Sequence, residues 1–453
     1  MPTLATLACA ILAGLSPFAL AAPPVAPPQA AAFDGGLEEA RRHLADGRTT
    51  EALQMLNALL ESGEGDQRQV RFTLAEVQLA NGVPERAYAT LEPLLAGDDD
   101  AEAFRRAGQA FEAQGDDLAA RGKRGEDIGF AYEQAGAHYS RAAELGDKPA
   151  QLLAGFVDLY RFGNHAAART RAEAMLAESL EDGDGLLLRG CAGVFDAHAR
   201  SDDPEAAGKL RKAAIADLLA ADKAFGGKRV EPWAQLAWLY EADEQAQAAV
   251  AAAIKLQQVA GQTDFATLYR LALRYTAERN WEPAAAAVLH MVRTDAALLG
   301  RWIAAEEDPT ATARQLSWSV AAFVPTNRLN EARDVMAALC ATRPEDAAMF
   351  NNWGLFARDT RRYEDAHTAY SRALELSPDD PALINDAALI LHYYLHRDYD
   401  KVAEMYERAI ELATEQLKDG DLDADQRQRV QTALRDARNN LGKLARGEYE
   451  WGM

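Results

Sequence analysis

Cysteine is scarce in this chain of 453 residues, which contains three. Cys9 lies near the N-terminus, while Cys191 and Cys340 are far apart in the sequence. Such a set forms no disulfide framework and matches no metal-cluster spacing. Stability must therefore come from packing, and we expect Cys191 and Cys340 to be buried as small apolar side chains.

Strand-like alternation and catalytic motifs are also missing. The composition is 49% hydrophobic and 26% charged, and the chain is rich in alanine, leucine and glutamate, which favour helix. There is no phosphate-binding glycine loop, no HExxH and no Gly-x-Ser-x-Gly. We therefore predict a chain without enzymatic activity and without a cofactor.

Two short patterns resemble parts of metal sites, but both are incomplete. His392 and His396 are four residues apart, with no third ligand nearby. The aspartates from Asp419 to Asp425 resemble the start of a calcium loop, but Ala424 and Val430 stand where such a loop needs glycine and glutamate. We predict no metal site, and we expect the aspartates to cap the helix that follows.

Positive charge is in deficit, since 48 Lys and Arg face 70 Asp and Glu, for a net charge of −22. An acidic surface repels nucleic-acid phosphates and anionic lipid, so neither is an expected partner. Basic peptides, divalent cations and basic protein surfaces are the natural attractants. The charge also has a simpler explanation, which is solubility.

The N-terminus differs from the rest of the chain. Residues 4–21 form a short apolar stretch that ends in Ala19-Leu20-Ala21, a small-residue cleavage pattern, although no Lys or Arg precedes it. We interpret residues 1–21 as a signal peptide and expect an exported protein, periplasmic or extracellular, with no transmembrane segment in the mature chain. Residues 22–33 are rich in proline and alanine, and we expect them to be extended and disordered.

Residues 347–380 have the pattern of one helix-turn-helix unit. Gly354 and Ala366 are small residues that allow two antiparallel helices to approach closely, and Trp353 and Tyr370 fill the space that remains. Pro378 ends the second helix, because proline cannot continue one. One hairpin cannot bury its apolar face alone, so neighbouring hairpins must stack on it.

With these residues the segment resembles a tetratricopeptide repeat, a family whose units recur about every 34 residues. The resemblance implies an all-α fold, a right-handed superhelical solenoid of antiparallel helix-turn-helix repeats. Its better-formed repeats lie in 230–416 and its more degenerate ones in 34–225. The better-formed repeats are 230–263, 265–298, 313–346, 347–380 and 381–416.

Three segments do not follow the period. Extra residues near 117–131 and 299–312 are either loops on one face or lengthened helices. Residues 426–447 have the apolar spacing of an amphipathic helix, and we predict that this helix caps the last repeat.

In the tetratricopeptide family, particular positions of the first helices line a concave groove and contact an extended peptide. Matching by register gives a predicted groove, and stacking between repeats is the alternative for each of its residues. Arg358 is its single cation, so a lysine and arginine clamp for a carboxylate is not expected. The predicted groove residues are Trp238, Tyr269, Asn351, Leu355, Arg358, Asn385, Leu389, His392 and Tyr393.

The resemblance therefore implies a non-catalytic scaffold that binds another protein or an extended peptide. Asparagines such as Asn351 and Asn385 suit this role, because a carboxamide bonds a peptide backbone without regard to its sequence. The alternative is an α/α-toroid enzyme that hydrolyses or cleaves a glycan with groove carboxylates. Neither the partner nor the oligomeric state follows from the sequence.

Overall fold

The structure is a computed structural model that describes residues 35–63, 65–123, 125–261, 265–342, 344–418 and 422–450. The predicted signal peptide (1–21) and the Pro/Ala-rich segment (22–33) lie outside these residues. Within the described ranges the chain forms 21 α-helices and no strand. The prediction of an all-α fold built from antiparallel helical hairpins is confirmed.

The chain divides into two compact units between Leu239 and Tyr240. In the first unit, successive helices pair as hairpins (α1 with α2, and so on to α9 with α10), and a π-helical turn, Val157–Arg161, continues α7. The helices are α1 Gly35–Ala45, α2 Thr49–Ser62, α3 Gln67–Ala80, α4 Pro84–Leu95, α5 Ala101–Ala120, α6 Glu126–Glu144, α7 Lys148–Phe156, α8 His165–Glu178, α9 Gly183–Ala199, α10 Pro204–Ala224 and most of α11 Glu231–Ala242.

The second unit continues the pairing. A 3₁₀ turn, Trp318–Ala322, extends α15, and a π-helical turn, Ile390–Leu395, extends α19. The helices are α12 Ala246–Ala260, α13 Ala266–Ala277, α14 Trp281–Ala304, α15 Pro309–Ser317, α16 Leu329–Cys340, α17 Ala347–Asp359, α18 Tyr363–Leu376, α19 Pro381–Leu389, α20 Tyr399–Gln416 and α21 Ala424–Ala445.

Aspartate begins many of these helices, which gives part of the acidic excess a structural role. A side-chain oxygen at the N-cap accepts the free backbone N–H groups of the first turn, and its charge suits the helix dipole. Asp423 does this for α21 in a capping box with Gln426, as the sequence led us to expect. The other aspartate caps are Asp66, Asp100, Asp147, Asp182, Asp203, Asp308, Asp346 and Asp380.

The two segments that interrupt the period are helical. The extra residues near 117–131 lengthen α5 and α6 to 20 and 19 residues. Further on, α14 has a kink at Asp295, whose carboxylate accepts a hydrogen bond of 2.8 Å from the backbone N–H of Leu298 and so starts a second helical segment. The extra residues thus extend helices instead of forming long loops.

In more than one hairpin a glycine on one helix packs against a tyrosine on the other, which allows the two helices to approach closely. A Cβ added at Gly354 would lie 2.8 Å from Cζ of Tyr370, which is fully buried, so the predicted role of Gly354 is confirmed. The first unit repeats this arrangement between α5 and α6, where Gly108 packs on Tyr139 and Gly115 on Tyr132.

The cysteines behave as expected. Cys191 and Cys340 are free and buried, and burial raises the pKa of each thiol to about 12.

None of the described helices is long and apolar enough to cross a membrane.

Candidate functional site

Three predicted groove residues share one face of α17. Asn351, Leu355 and Arg358 follow each other at helical spacing, and Leu355 is 36% exposed although it is apolar. Asp346 fixes the start of α17 by accepting hydrogen bonds from two backbone N–H groups. Gly354 holds the neighbouring face against α18, which leaves Asn351, Leu355 and Arg358 accessible or half-buried.

Asn351 has an unusual environment. Its Oδ1 atom is buried and accepts no hydrogen bond from any residue that the structure describes. Native proteins leave few buried polar atoms without a partner, because each costs free energy. The Asn351 side chain as a whole is half-buried, so this oxygen becomes an acceptor for a ligand when the side chain turns toward the exposed surface.

The charges beside this face are partly balanced. Burial disfavours the charge of Arg358, but a 2.9 Å hydrogen bond from Nε to Asp359 raises the pKa of its guanidinium overall. Asp386 lies near Arg358, and burial raises the pKa of its carboxyl to about 6 against the opposing effects of Asn385 and Arg358. Asp386 is half-buried, which the sequence did not indicate.

The predicted groove residues of the last hairpin lie inside the protein. Asn385 and Tyr393 are 5% and 3% exposed, and both bond to Asn440 on α21. Asn440 donates to Oδ1 of Asn385 over 3.0 Å and accepts from the hydroxyl of Tyr393 over 3.1 Å. Leu389 packs in the apolar cluster around Tyr370. These side chains therefore hold α21 and the neighbouring hairpin in place.

His392 is fully buried beneath the chain that follows α21. Its Nε2 lies 3.0 Å from the backbone oxygen of Glu448, and its Nδ1 lies 3.2 Å from the hydroxyl of Tyr406. A carbonyl can only accept, so Nε2 carries the hydrogen and Nδ1 accepts from Tyr406. Burial lowers the pKa of His392, which favours this neutral form.

The remaining two predicted residues are on other helices. Tyr269 is 5% exposed and packs against Trp302, with ring centroids 5.3 Å apart. Burial and Glu306 raise the pKa of its phenol. Trp238 is half-buried on α11, in the first unit. Asn351, Leu355 and Arg358 are therefore the members of the predicted groove that the structure brings together on one accessible face.

The bonds to Asn440 predict a specific weakness. Asn440→Ala would leave Asn385 and Tyr393 buried with fewer partners, so we expect α21 to open more easily, by about 2 kcal/mol. Native-state hydrogen exchange of the α21 amides measures this change. The exposed neighbour Asn439 provides the control, and equal protection in Asn439→Ala and Asn440→Ala would refute the assigned role.

Within the described part of the chain, no group of three or more His, Cys, Asp or Glu side chains is arranged to hold a metal ion. No known family model matches the chain, and no curated protein matches it.

Solved structures that are similar to this chain include three helical proteins. They are the APC/C hetero-tetramer Cut9-Hcn1 (12% identity, covering 88% of this chain and 95% of that one, TM-score 0.26), the TPR domain of P58(IPK) (16%, 90% and 98%, 0.20) and yeast Tom70 (11%, 90% and 97%, 0.23). The assignment of the fold rests instead on the chain's own hairpins and on Gly354 against Tyr370. The chain is an all-α array of tetratricopeptide-like helical hairpins.

Proposed function

We propose that the second unit is a non-catalytic scaffold that binds an extended polypeptide of a partner protein along the α17 face. That face is defined by Asn351, Leu355 and Arg358. The observation that carries the proposal is the buried, unpartnered Oδ1 of Asn351. A ligand that brings a hydrogen-bond donor to this oxygen removes the cost of leaving it unpaired.

A polypeptide backbone fits this face better than other ligands. It offers N–H donors at regular intervals whatever its sequence, and a carboxamide can bond such groups directly. Leu355 provides an apolar contact beside the oxygen, and the Arg358–Asp359 pair presents both signs of charge. The proposed ligand is therefore an extended segment with an apolar side chain near Leu355.

A glycan-cleaving enzyme is supported less well. Asp386, with its raised pKa, has the property of a general acid, but this chemistry uses two carboxylates. Asp380, whose charge contributes to the shift of Asp386, caps α19 and pairs with Arg429. These two carboxylates therefore lack the freedom of a catalytic pair.

The proposal predicts selective loss of binding. The full chain would be probed with an immobilised array of overlapping peptides from the proteins of its own organism. We expect Asn351→Ala to weaken the selected peptides about tenfold, the effect of one lost hydrogen bond to a buried acceptor. Asn352→Ala, an exposed neighbour, should bind as the unaltered chain does. Equal binding by the two variants would remove α17 as the site.

The unpartnered oxygen also predicts a change in stability. Asn351→Leu replaces a buried polar group by an apolar one of similar size, so we expect the free energy of unfolding of the second unit to rise by about 1 kcal/mol. Asn352→Leu should change it little, since Asn352 is exposed. Chemical denaturation measures both, and a less stable Asn351→Leu protein would show that the oxygen already has a partner.

We further propose that this binding occurs outside the cytoplasm, in the periplasm or beyond it. The support for this is the apolar segment at 4–21 with its Ala19-Leu20-Ala21 pattern.

A further inference from the structure

A cleft of about 390 Å³ lies in the first unit between α2, α3 and α4. This is within the range of volumes that hold small molecules in proteins, roughly 300–1,000 Å³. The cleft was not among the predicted sites, because its residues come from three helices and the turn between α3 and α4. The residues that line it are Leu53, Asn57, Leu60, Arg71, Gln78, Asn81, Val83, Arg86, Ala89 and Thr90.

The two arginines in the cleft have no carboxylate partner among the described residues. Arg71 donates from Nη1 to the backbone oxygen of Thr90 over 3.0 Å, and the Arg86 side chain makes no hydrogen bond or ion pair. By contrast, Arg68, one turn before Arg71, bonds Asp100 at 2.6 and 2.9 Å. Arg71 is half-buried and Arg86 is exposed, and with no carboxylate beside either guanidinium the cleft is locally positive in a chain of net charge −22, which suits a negative group.

The amide side chains of the lining add acceptors and a donor. Asn57 and Asn81 each donate from Nδ2 to a carbonyl of their own helix over 2.8 Å, which leaves their oxygens free to accept. Gln78 accepts from the Thr90 hydroxyl over 2.9 Å through Oε1, which leaves its Nε2 as a donor. The lining contains no carboxylate, and its remaining surface is aliphatic.

We propose that this cleft binds a small carboxylate whose acid group lies next to an amide, such as an acylated amino acid. Arg71 and Arg86 would hold the carboxylate, since guanidinium groups match its geometry. Asn57 and Asn81 would accept from the N–H of the ligand. An aliphatic side chain would pack against Leu53 and Leu60. The site belongs to the first unit and is independent of the α17 face.

Calorimetric titration of the full chain with N-acetyl-leucine tests this assignment. We expect N-acetyl-leucine to bind with millimolar affinity. N-acetyl-leucinamide, which lacks the carboxylate, should not bind, and inorganic phosphate, which offers no amide, should bind more weakly than N-acetyl-leucine. A carboxylate next to an amide occurs both in a free acylated amino acid and at the C-terminus of a peptide, so a longer acetylated peptide that ends in leucine is titrated as well. Binding of either ligand supports the site, and the one that binds more tightly shows which kind of ligand the cleft prefers.

Arg86→Gln is the decisive variant, because the Arg86 side chain has no partner whose loss would disturb the fold. We expect it to weaken N-acetyl-leucine about tenfold, the effect of one charge-assisted hydrogen bond. Arg71→Gln should weaken it at least as much, with its unfolding midpoint measured to verify the fold. Arg42→Gln is the matched control, since Arg42 is an exposed arginine of α1 outside the cleft.

Three results would overturn the assignment. They are equal binding of N-acetyl-leucinamide, binding of phosphate as tight as that of N-acetyl-leucine, and unchanged affinity in Arg86→Gln.

Discussion

Arg161→Met is expected to destabilise the first unit by about 4 kcal/mol, because it removes the cation that pairs with the largely buried Glu112. Arg161 bonds Glu112 over 3.1 Å and Asp116 over 3.0 Å, and its guanidinium lies over the ring of Tyr132. The hydroxyl of Tyr139 bonds the other oxygen of Glu112 over 2.9 Å. Without Arg161, Glu112 would remain buried with no cation beside it.

The loss should depend on pH in a defined direction. Burial raises the pKa of Glu112 above its ordinary value of 4.5, although Arg161 opposes this. The folded state therefore binds this proton more tightly than the unfolded state does. The stability that Glu112 contributes is therefore present below the ordinary pKa of a glutamate, and it is lost as pH rises through the pKa that Glu112 has in the folded protein. Since Arg161→Met raises that pKa further, the variant should be closer to the unaltered protein in acid than at neutral pH.

Hydrogen exchange of the α5 and α6 amides at several pH values measures both effects. The control is Arg121→Met, which removes the ion pair between the exposed Arg121, just after α5, and Asp117, and should cost at most about 0.5 kcal/mol. If Arg161→Met and Arg121→Met cost the same, the buried network does not stabilise the first unit.

Gly354→Ala is expected to lower the stability of the second unit by about 3 kcal/mol. The new Cβ would lie 2.8–2.9 Å from three ring atoms of Tyr370. The ring cannot move away easily, because Tyr370 is 1% exposed and packs against Ala366 and Ala387. The helices α17 and α18 would have to separate, which would also displace the α17 face.

Gly300→Ala is the matched control for this glycine. Gly300 is helical, and a Cβ there would meet Thr342 at an ordinary 3.7 Å. Alanine should therefore stabilise the helix by about 1 kcal/mol, the usual gain over glycine. Denaturant unfolding of the two variants should move in opposite directions, and a shared direction would contradict the close approach at Gly354.

The fold was predictable because its signals are local. Gly354, Ala366 and Tyr370 lie within one hairpin, and their spacing alone indicates which helices must approach closely. The interruption near 117–131 was visible as a break in the period, but its form was not. Whether extra residues lengthen helices depends on packing along α5 and α6, including the contacts of Gly108 and Gly115 with tyrosines on the opposite helix.

The candidate site was less predictable because it depends on contacts between distant residues. Asn351 and Asn385 occupy equivalent positions in successive repeats, and the sequence suggested the same role for both. They differ because Asn440, 55 residues after Asn385, bonds the latter, while Oδ1 of Asn351 has no partner among the described residues. The cleft with Arg71 and Arg86 was missed for a related reason, since unpaired arginines are recognised only after every nearby carboxylate has been placed.

The most direct test of polypeptide binding on α17 is a double-mutant cycle with a peptide selected on the array. Calorimetry would compare that peptide with copies methylated at single backbone nitrogens, each lacking one N–H donor. At one position, methylation should weaken binding to the unaltered chain about tenfold and leave binding to Asn351→Ala unchanged, because the same hydrogen bond is already missing. If the losses of binding free energy from methylation and from Asn351→Ala add at every methylated position, this would contradict the proposal that Asn351 holds the backbone of its partner.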